Sequence, residues 1–258
     1  MELGAMNNPA GKISKEIEWI GMNGFDFVDL TLEVNARPEK VDCNRLKDLL
    51  ARFQLGIIGH TPWFLPAAVE YQELIDASLK VFKRCLEIFK NLGTRLVNIH
   101  PFPARRILGH ERIINLNIEM TARVKEVAGE FGIDLALENV EPFYEIFDIA
   151  EIINGVPGLG FHLDVGHVFL SRKGTTLSEY LNRFGPILRH IHLSDNFGTD
   201  DLHLPIGAGN INWKDVIDQI KRSGYDGTIT LEVFSREREY LRLSRDKIIS
   251  LWKGELET

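Results

Sequence analysis

The sequence predicts a closed (β/α)8 barrel, one domain over residues 1–258. Three observations carry this. Short apolar runs of strand length recur eight times along the chain. Amphipathic stretches of helix length separate them. Several of those stretches close on glycine just before the next run, in "GMNG", "NLG", "EFG" and "RSG". Strands that alternate with helices pair in parallel through right-handed crossovers, and eight of them close on themselves. A doubly wound open sheet is the alternative, but no Gly-x-Gly-x-x-Gly turn follows the first run.

In chain order the runs are "ELGAM", "FDFVDLTL", "LGIIGH", "RLVNIH", "IDLALE", "LGFHLD", "ILRHIHL" and "GTITLEV", each rich in Val, Ile, Leu or Phe. Between the third and fourth lies the clearest helix, "YQELIDASLKVFKRCLEIFKNLG". Its stripe is Leu74, Ala77, Leu79, Val81, Phe82, Cys85, Leu86 and Phe89, and Gly93 is its stop. "ERIINLNIEMTARVKEVAGEFG" and "NWKDVIDQIKRSG" repeat the pattern before the fifth and eighth runs. No low-complexity segment or linker interrupts the series.

The bulk numbers fit. A chain of 258 residues, 44% hydrophobic and 26% charged, can bury a substantial core. No apolar run reaches the roughly 18 residues of a membrane span. The N-terminal "MELGAMNNPAGK" lacks a basic patch followed by an apolar stretch, so no secretory signal is expected. Cys43 and Cys85 fit no ligand spacing, and a reduced, cytoplasmic setting is expected. A net charge of −7 argues against a dedicated nucleic-acid binder. A homo-oligomer is compatible with all of this.

Active sites of such barrels lie at the C-terminal ends of the strands. Here those ends carry Glu33, His60, His100, Glu138, Asp164, His192 and Glu232, with His167 in the turn after Asp164 and Asp201 and His203 in the loop after His192. All are ligand types for a divalent ion, and carboxylate with imidazole suits zinc, manganese, iron or cobalt better than calcium. Glu138, Asp164, His192 and Glu232 come from four successive strands and can converge on one ion. His60, His100, His167, Asp201 and His203 then reach further metal or the substrate. His162 and His190 sit two residues deeper than Asp164 and His192 and are expected to be interior packing groups. His110 is expected at the surface. Around the mouth, Trp63 and Phe64 can wall a substrate, and Arg105 and Arg106 can contact an anion. Gly207 and Gly209 can open their N–H groups to phosphate or simply make a tight loop.

Taken together, His60, "NIHP", "LEN", "LDVGH", "HIHLSD", "DLHLPIGAG" and "LEV" resemble the xylose-isomerase-like TIM-barrel superfamily, over nearly the whole chain. That superfamily includes sugar isomerases, epimerases of the tagatose-3-epimerase type, and endonuclease IV. The isomerase and epimerase branch implies one ion (manganese, cobalt, magnesium or zinc) held by Glu138, Asp164, His192 and Glu232. The ion chelates the carbonyl and hydroxyl of a sugar or sugar phosphate and stabilises an enediolate. Glu138 and Glu232 then act as proton acceptor and donor, and His167 binds a substrate oxygen. Endonuclease IV implies instead three zinc ions and abasic DNA as the partner. His60, His100 and Glu138 would hold the first ion, the four-residue set the second, and His167, Asp201 and His203 the third. The chain departs from that pattern at Val165-Gly166, at Leu202, where the nuclease has arginine, and in "NVEPFYE" after Glu138. A metal- and sugar-binding barrel without catalysis is a third reading.

Overall fold

A computed structural model describes residues 1–143, 145–171 and 174–255. Eight parallel strands close a barrel in simple sequence order: β1 (Glu2–Met6), β2 (Phe27–Thr31), β3 (Gly56–His60), β4 (Leu96–Ile99), β5 (Asp134–Glu138), β6 (Gly160–Asp164), β7 (Leu188–Leu193) and β8 (Thr228–Leu231). β1 and β8 make the closing seam, with Glu2 paired to Thr228 and Ala5 to Leu231. The helices are α1 (Ile13–Met22), α2 (Cys43–Phe53), α3 (Gln72–Leu92), α4 (His110–Glu130), α5 (Ile146–Gly155), the single turn α6 (Val165–Val168), α7 (Leu177–Phe184), α8 (Trp213–Arg222) and α9 (Glu239–Lys253). The fold is the predicted TIM barrel. No described helix is long and apolar enough to cross a membrane.

Local signals fix where elements stop. α3 ends at Gly93, whose φ of 86° a side chain would strain. α7 opens with a capping box, in which Thr176 accepts from the Glu179 amide and Glu179 accepts from the Thr176 amide.

Strand alternation divides the interior into two cores. Val28, Leu30, Leu135, Leu137, Phe161, Leu163, Ile191, Ile229 and Leu231 point outward and join one apolar cluster with the helices, through residues such as Ile17, Leu49, Phe89, Val124, Ile149 and Ile217. The alternate residues point into the bore, and most are polar: Asp29, Thr31, Asn98, Glu138, His162, Asp164, His190, His192 and Thr230, all buried. Phe27 plugs the bore beneath them. Its ring meets His190 edge-on at 5.9 Å, and a side chain at Gly4 would collide with it. Phe27→Ala empties this plug and should lower stability by about 3–5 kcal/mol, read from urea unfolding.

Candidate metal centre

The four strand-end residues do converge. Glu138, Asp164, His192 and Glu232 each present a ligand atom within 4.8 Å of the others', and all four are buried. Register sets this up: Asp164 pairs with His192 across β6 and β7, and Glu138 with His162 across β5 and β6. Asp164 also caps α6, its Oδ1 accepting from the His167 amide at 2.7 Å. Gly166 lets that turn pack closely, since a Cβ there would lie 2.7 Å from Ser194 Oγ and 3.2 Å from Asp164 Oδ1 and the Ser194 carbonyl. The Asn139 side chain ties the ends of β5 and β6 together, donating to the Asp164 carbonyl at 2.9 Å and accepting from the Asp164 amide at 2.8 Å.

Burial and the neighbouring imidazoles pull the carboxyls of this set in opposite directions. Burial pushes the Asp164 carboxyl up to about 7 against the pull of His167, and the neighbouring Glu138 and Glu232 push the same way. Burial also acts to raise Glu138, but His162 and His100 outweigh it and hold Glu138 well below the usual carboxylate range. For Glu232, His203 and His192 likewise overcome burial and lower it. Asp164 Oδ2 and Glu138 Oε2 are buried without a hydrogen bond, although His162 Nδ1 and His100 Nε2 stand 3.2 and 3.3 Å from the latter. Two buried oxygens without donors, in a set of three carboxylates and one imidazole, fit a divalent ion that prefers oxygen and nitrogen.

The remaining candidates surround this set. His60 and His100 touch through their Nε2 atoms at 2.8 Å and form a second possible ligand group with Glu138. His167 Nδ1 donates to the Asn139 carbonyl at 2.7 Å, and its Nε2 meets Asp201 Oδ2 at 3.0 Å. His203 Nε2 reaches the same Asp201 oxygen at 3.2 Å. Asp201 thus bridges two imidazoles. Burial opposes charging His203, yet Glu232 and Asp201 raise it to about 9.

A cavity of about 370 Å³ opens above the four-residue set, within the roughly 300–1,000 Å³ of small-molecule sites. Its lining includes Glu33, His60, Trp63, His100, His167, Asp201, His203 and Phe234. The Trp63 amide donates to Glu33 Oε1 at 2.8 Å, joining the loops after β2 and β3 at the rim. Phe64 instead lines a neighbouring apolar groove with Leu32, Val34, Pro62 and Val81. Arg105 is exposed and outside the cavity lining; the Arg106 side chain lies outside the described residues. Among the described residues the lining holds carboxylates at Glu33, Glu138, Glu141, Asp201 and Glu232 but no lysine or arginine. His110 is exposed, 3.3 Å from Asp148.

Gly207 and Gly209 belong to a loop built around Asp195. The Asp195 carboxylate accepts from the amides of Asn196, Gly207 and Ile211 and from Trp213 Nε1, at 2.7–3.2 Å. The Gly207 amide is therefore already used. Sequence reasoning passed over Asp195, and also Asp29, which lies fully buried in the bore within reach of three histidines. Asp29 follows the strand alternation, with Phe27, Asp29 and Thr31 inward and Val28 and Leu30 outward.

The chain belongs to the xylose isomerase-like TIM barrel family, whose model matches residues 17–251. An uncharacterised protein of Methanocaldococcus jannaschii is 27% identical, covering 92% of this chain and 87% of its own. An inosose isomerase of Halalkalibacterium halodurans is 25% identical, covering 93% and 88%. A probable endonuclease 4 of Aquifex aeolicus is 26% identical, covering 69% and 68%. A crystal structure of a D-tagatose 3-epimerase-like protein superposes with a TM-score of 0.85 over all of both chains, at 23% identity.

Asp164 gives the centre a pH signature. Burial raises its carboxyl to about 7, and an ion held there would require it ionised. Calorimetric titration of metal-stripped protein with Mn²⁺ should show affinity falling as pH drops through 7, because Asp164 and the raised His192 imidazole must both release protons to an ion. Constant affinity from pH 6 to 8 would contradict this assignment.

Proposed function

We propose that this chain is a divalent-metal-dependent isomerase or epimerase of a small polyhydroxy carbonyl compound, a ketose or keto-cyclitol. The observation that supports this most directly is the convergence of Glu138, Asp164, His192 and Glu232 beneath a cavity of monosaccharide scale. Those four residues would hold the ion. When bound, it supplies the positive charge that acidifies a C–H next to a carbonyl. The chain's own groups do the rest. Glu138 and Glu232 both border the cavity, so one can take the carbon-bound proton while the other returns one. His203, 3.8 Å from Glu232, keeps that carboxylate ionised and ready to accept. His167, 3.3 Å from Glu138 Oε1 and fixed by Asn139 and Asp201, orients the other. Trp63 and Phe234 give the sugar apolar walls.

The lining favours an unphosphorylated substrate. A phosphate would meet Glu33, Glu141 and Asp201 with no described lysine or arginine to receive it. The Asp195 loop has already consumed the Gly207 amide that could have served instead. The same acidic rim disfavours DNA. A second reading, abasic-site phosphodiester hydrolysis, draws on the His60–His100–Glu138 group, which is a further set of ligand atoms beside the first.

One assay separates them. Mn²⁺-loaded protein is offered a panel of ketoses and keto-cyclitols, with and without phosphate, in deuterated water, and in parallel an abasic-site duplex. Exchange of a carbon-bound proton in an unphosphorylated member is expected. Strand incision without any exchange would overturn the isomerase reading. Glu138→Gln and Glu232→Gln should each slow that exchange by about 10²- to 10⁴-fold. A loss within tenfold for either removes the paired-carboxylate role.

A further inference from the structure

Beneath the four-residue set lies a buried group that neither the cavity nor the proton transfer uses. We infer that Asp29 is a positioning residue that fixes the tautomer and orientation of His192 as a metal ligand. The inference rests on the metal centre proposed above.

The two nitrogens of His192 face different partners. Nδ1 points to the metal set, 2.9 Å from Glu232 Oε2 and 3.9 Å from Asp164 Oδ2. Nε2 points down the bore and meets Asp29 Oδ2 at 2.7 Å. Asp29 Oδ2 is ringed by His192 Nε2, Thr230 Oγ1 and His190 Nε2 at 2.7–3.2 Å, the setting of an accepting carboxylate oxygen. An ionised carboxylate accepts and cannot donate, so the proton on this contact sits on His192 Nε2. Nδ1 faces Glu232 Oε2 at 2.9 Å, so an ion bound there takes the place of the proton shared on that contact. A ligating histidine commonly donates its second N–H to a carboxylate in this way, which sets ring orientation and raises ligand basicity.

Asp29 is itself held. Thr230 Oγ1 donates to Oδ2 at 3.1 Å, and His190 Nε2 approaches the same oxygen at 3.2 Å. His190 Nδ1 is engaged by Thr228 Oγ1 at 2.7 Å. The anchor therefore spans β2, β7 and β8, and the imidazole it aims stands between rigid strands. Asp29 meets the four-residue set through the His192 ring at 2.7 Å, and its other oxygen is 3.7 Å from His60, too far for a hydrogen bond.

The test uses the full chain, stripped of metal, and Mn²⁺ as the probe, by calorimetric titration. Asp29→Asn should weaken Mn²⁺ binding by about 10- to 100-fold. In a His192→Gln background the same change should cost less than twofold, since the ring it acts through is gone. Unchanged affinity in Asp29→Asn, or a full loss repeated in the His192→Gln background, overturns the inference. Should Asp29→Asn fail to fold, long-range ¹H–¹⁵N spectra of the unaltered protein with Mg²⁺ decide it. A protonated His192 Nε2 with bare Nδ1 supports the inference, and the reverse tautomer overturns it. Wild-type protein that takes up no Mn²⁺ would sink the metal-centre reading itself. Wild-type uptake with an indifferent Asp29→Asn sinks only the role of Asp29.

Discussion

The bore of this barrel concentrates negative charge where water is scarce. Asp29, Glu138, Asp164 and Glu232 are all buried within it. An ionised carboxylate taken out of water costs several kcal/mol unless it gains donors or an opposite charge. The histidines answer most of that demand. His192 serves Asp29 on one side and Glu232 on the other, His190 braces Asp29, and His162 and His100 approach Glu138. Asp164 is the group left short, its Oδ2 without a partner and its carboxyl held partly protonated near neutrality. Under the proposed metal reading, a divalent ion at that oxygen would complete the balance, so the carboxyl left short of donors is the one offered as a ligand.

Register is what brings these charges together. Asp164 opposes His192 and His162 opposes His190 on the β6–β7 ladder. A slip of one residue would turn this polar set outward into the helix layer and bring Leu163 and Ile191 into the bore. The outward cluster resists such a slip, because Phe161, Leu163 and Ile191 are wholly buried there against the helices.

Much of this was legible in the chain. All eight strands fall where apolar runs predict them, with ends differing slightly: β4 stops at Ile99 and β8 at Leu231, so His100 and Glu232 stand just past their strands. The convergent set was legible too, because a polar residue closing an apolar run marks a strand end by position alone. Asp29 was hidden for the opposite reason. It sits inside "FDFVDLTL", and only the knowledge that the bore is polar separates an inward carboxylate from a strand interrupted by one. Asp195 was hidden because its partners lie as far away as Ile211 and Trp213 in a loop without periodicity. Loop direction was equally illegible. Trp63 and Phe64 are neighbours, yet one faces the cavity and the other an outer groove, and Arg105 stands clear of both.

The split between an apolar ring and a polar bore has a consequence for heredity. Most of the apolar cohesion resides in the ring, where side chains interlock and single changes cost several kcal/mol, with Phe27 adding a plug at the foot of the bore. Chemistry resides in the bore and on the rim loops, whose groups hold one another by exchangeable contacts. Mutation can therefore redraw the lining of this barrel, one strand end at a time, while the ring keeps the chain folded. A lineage with this architecture can change substrates without first surviving an unfolded ancestor.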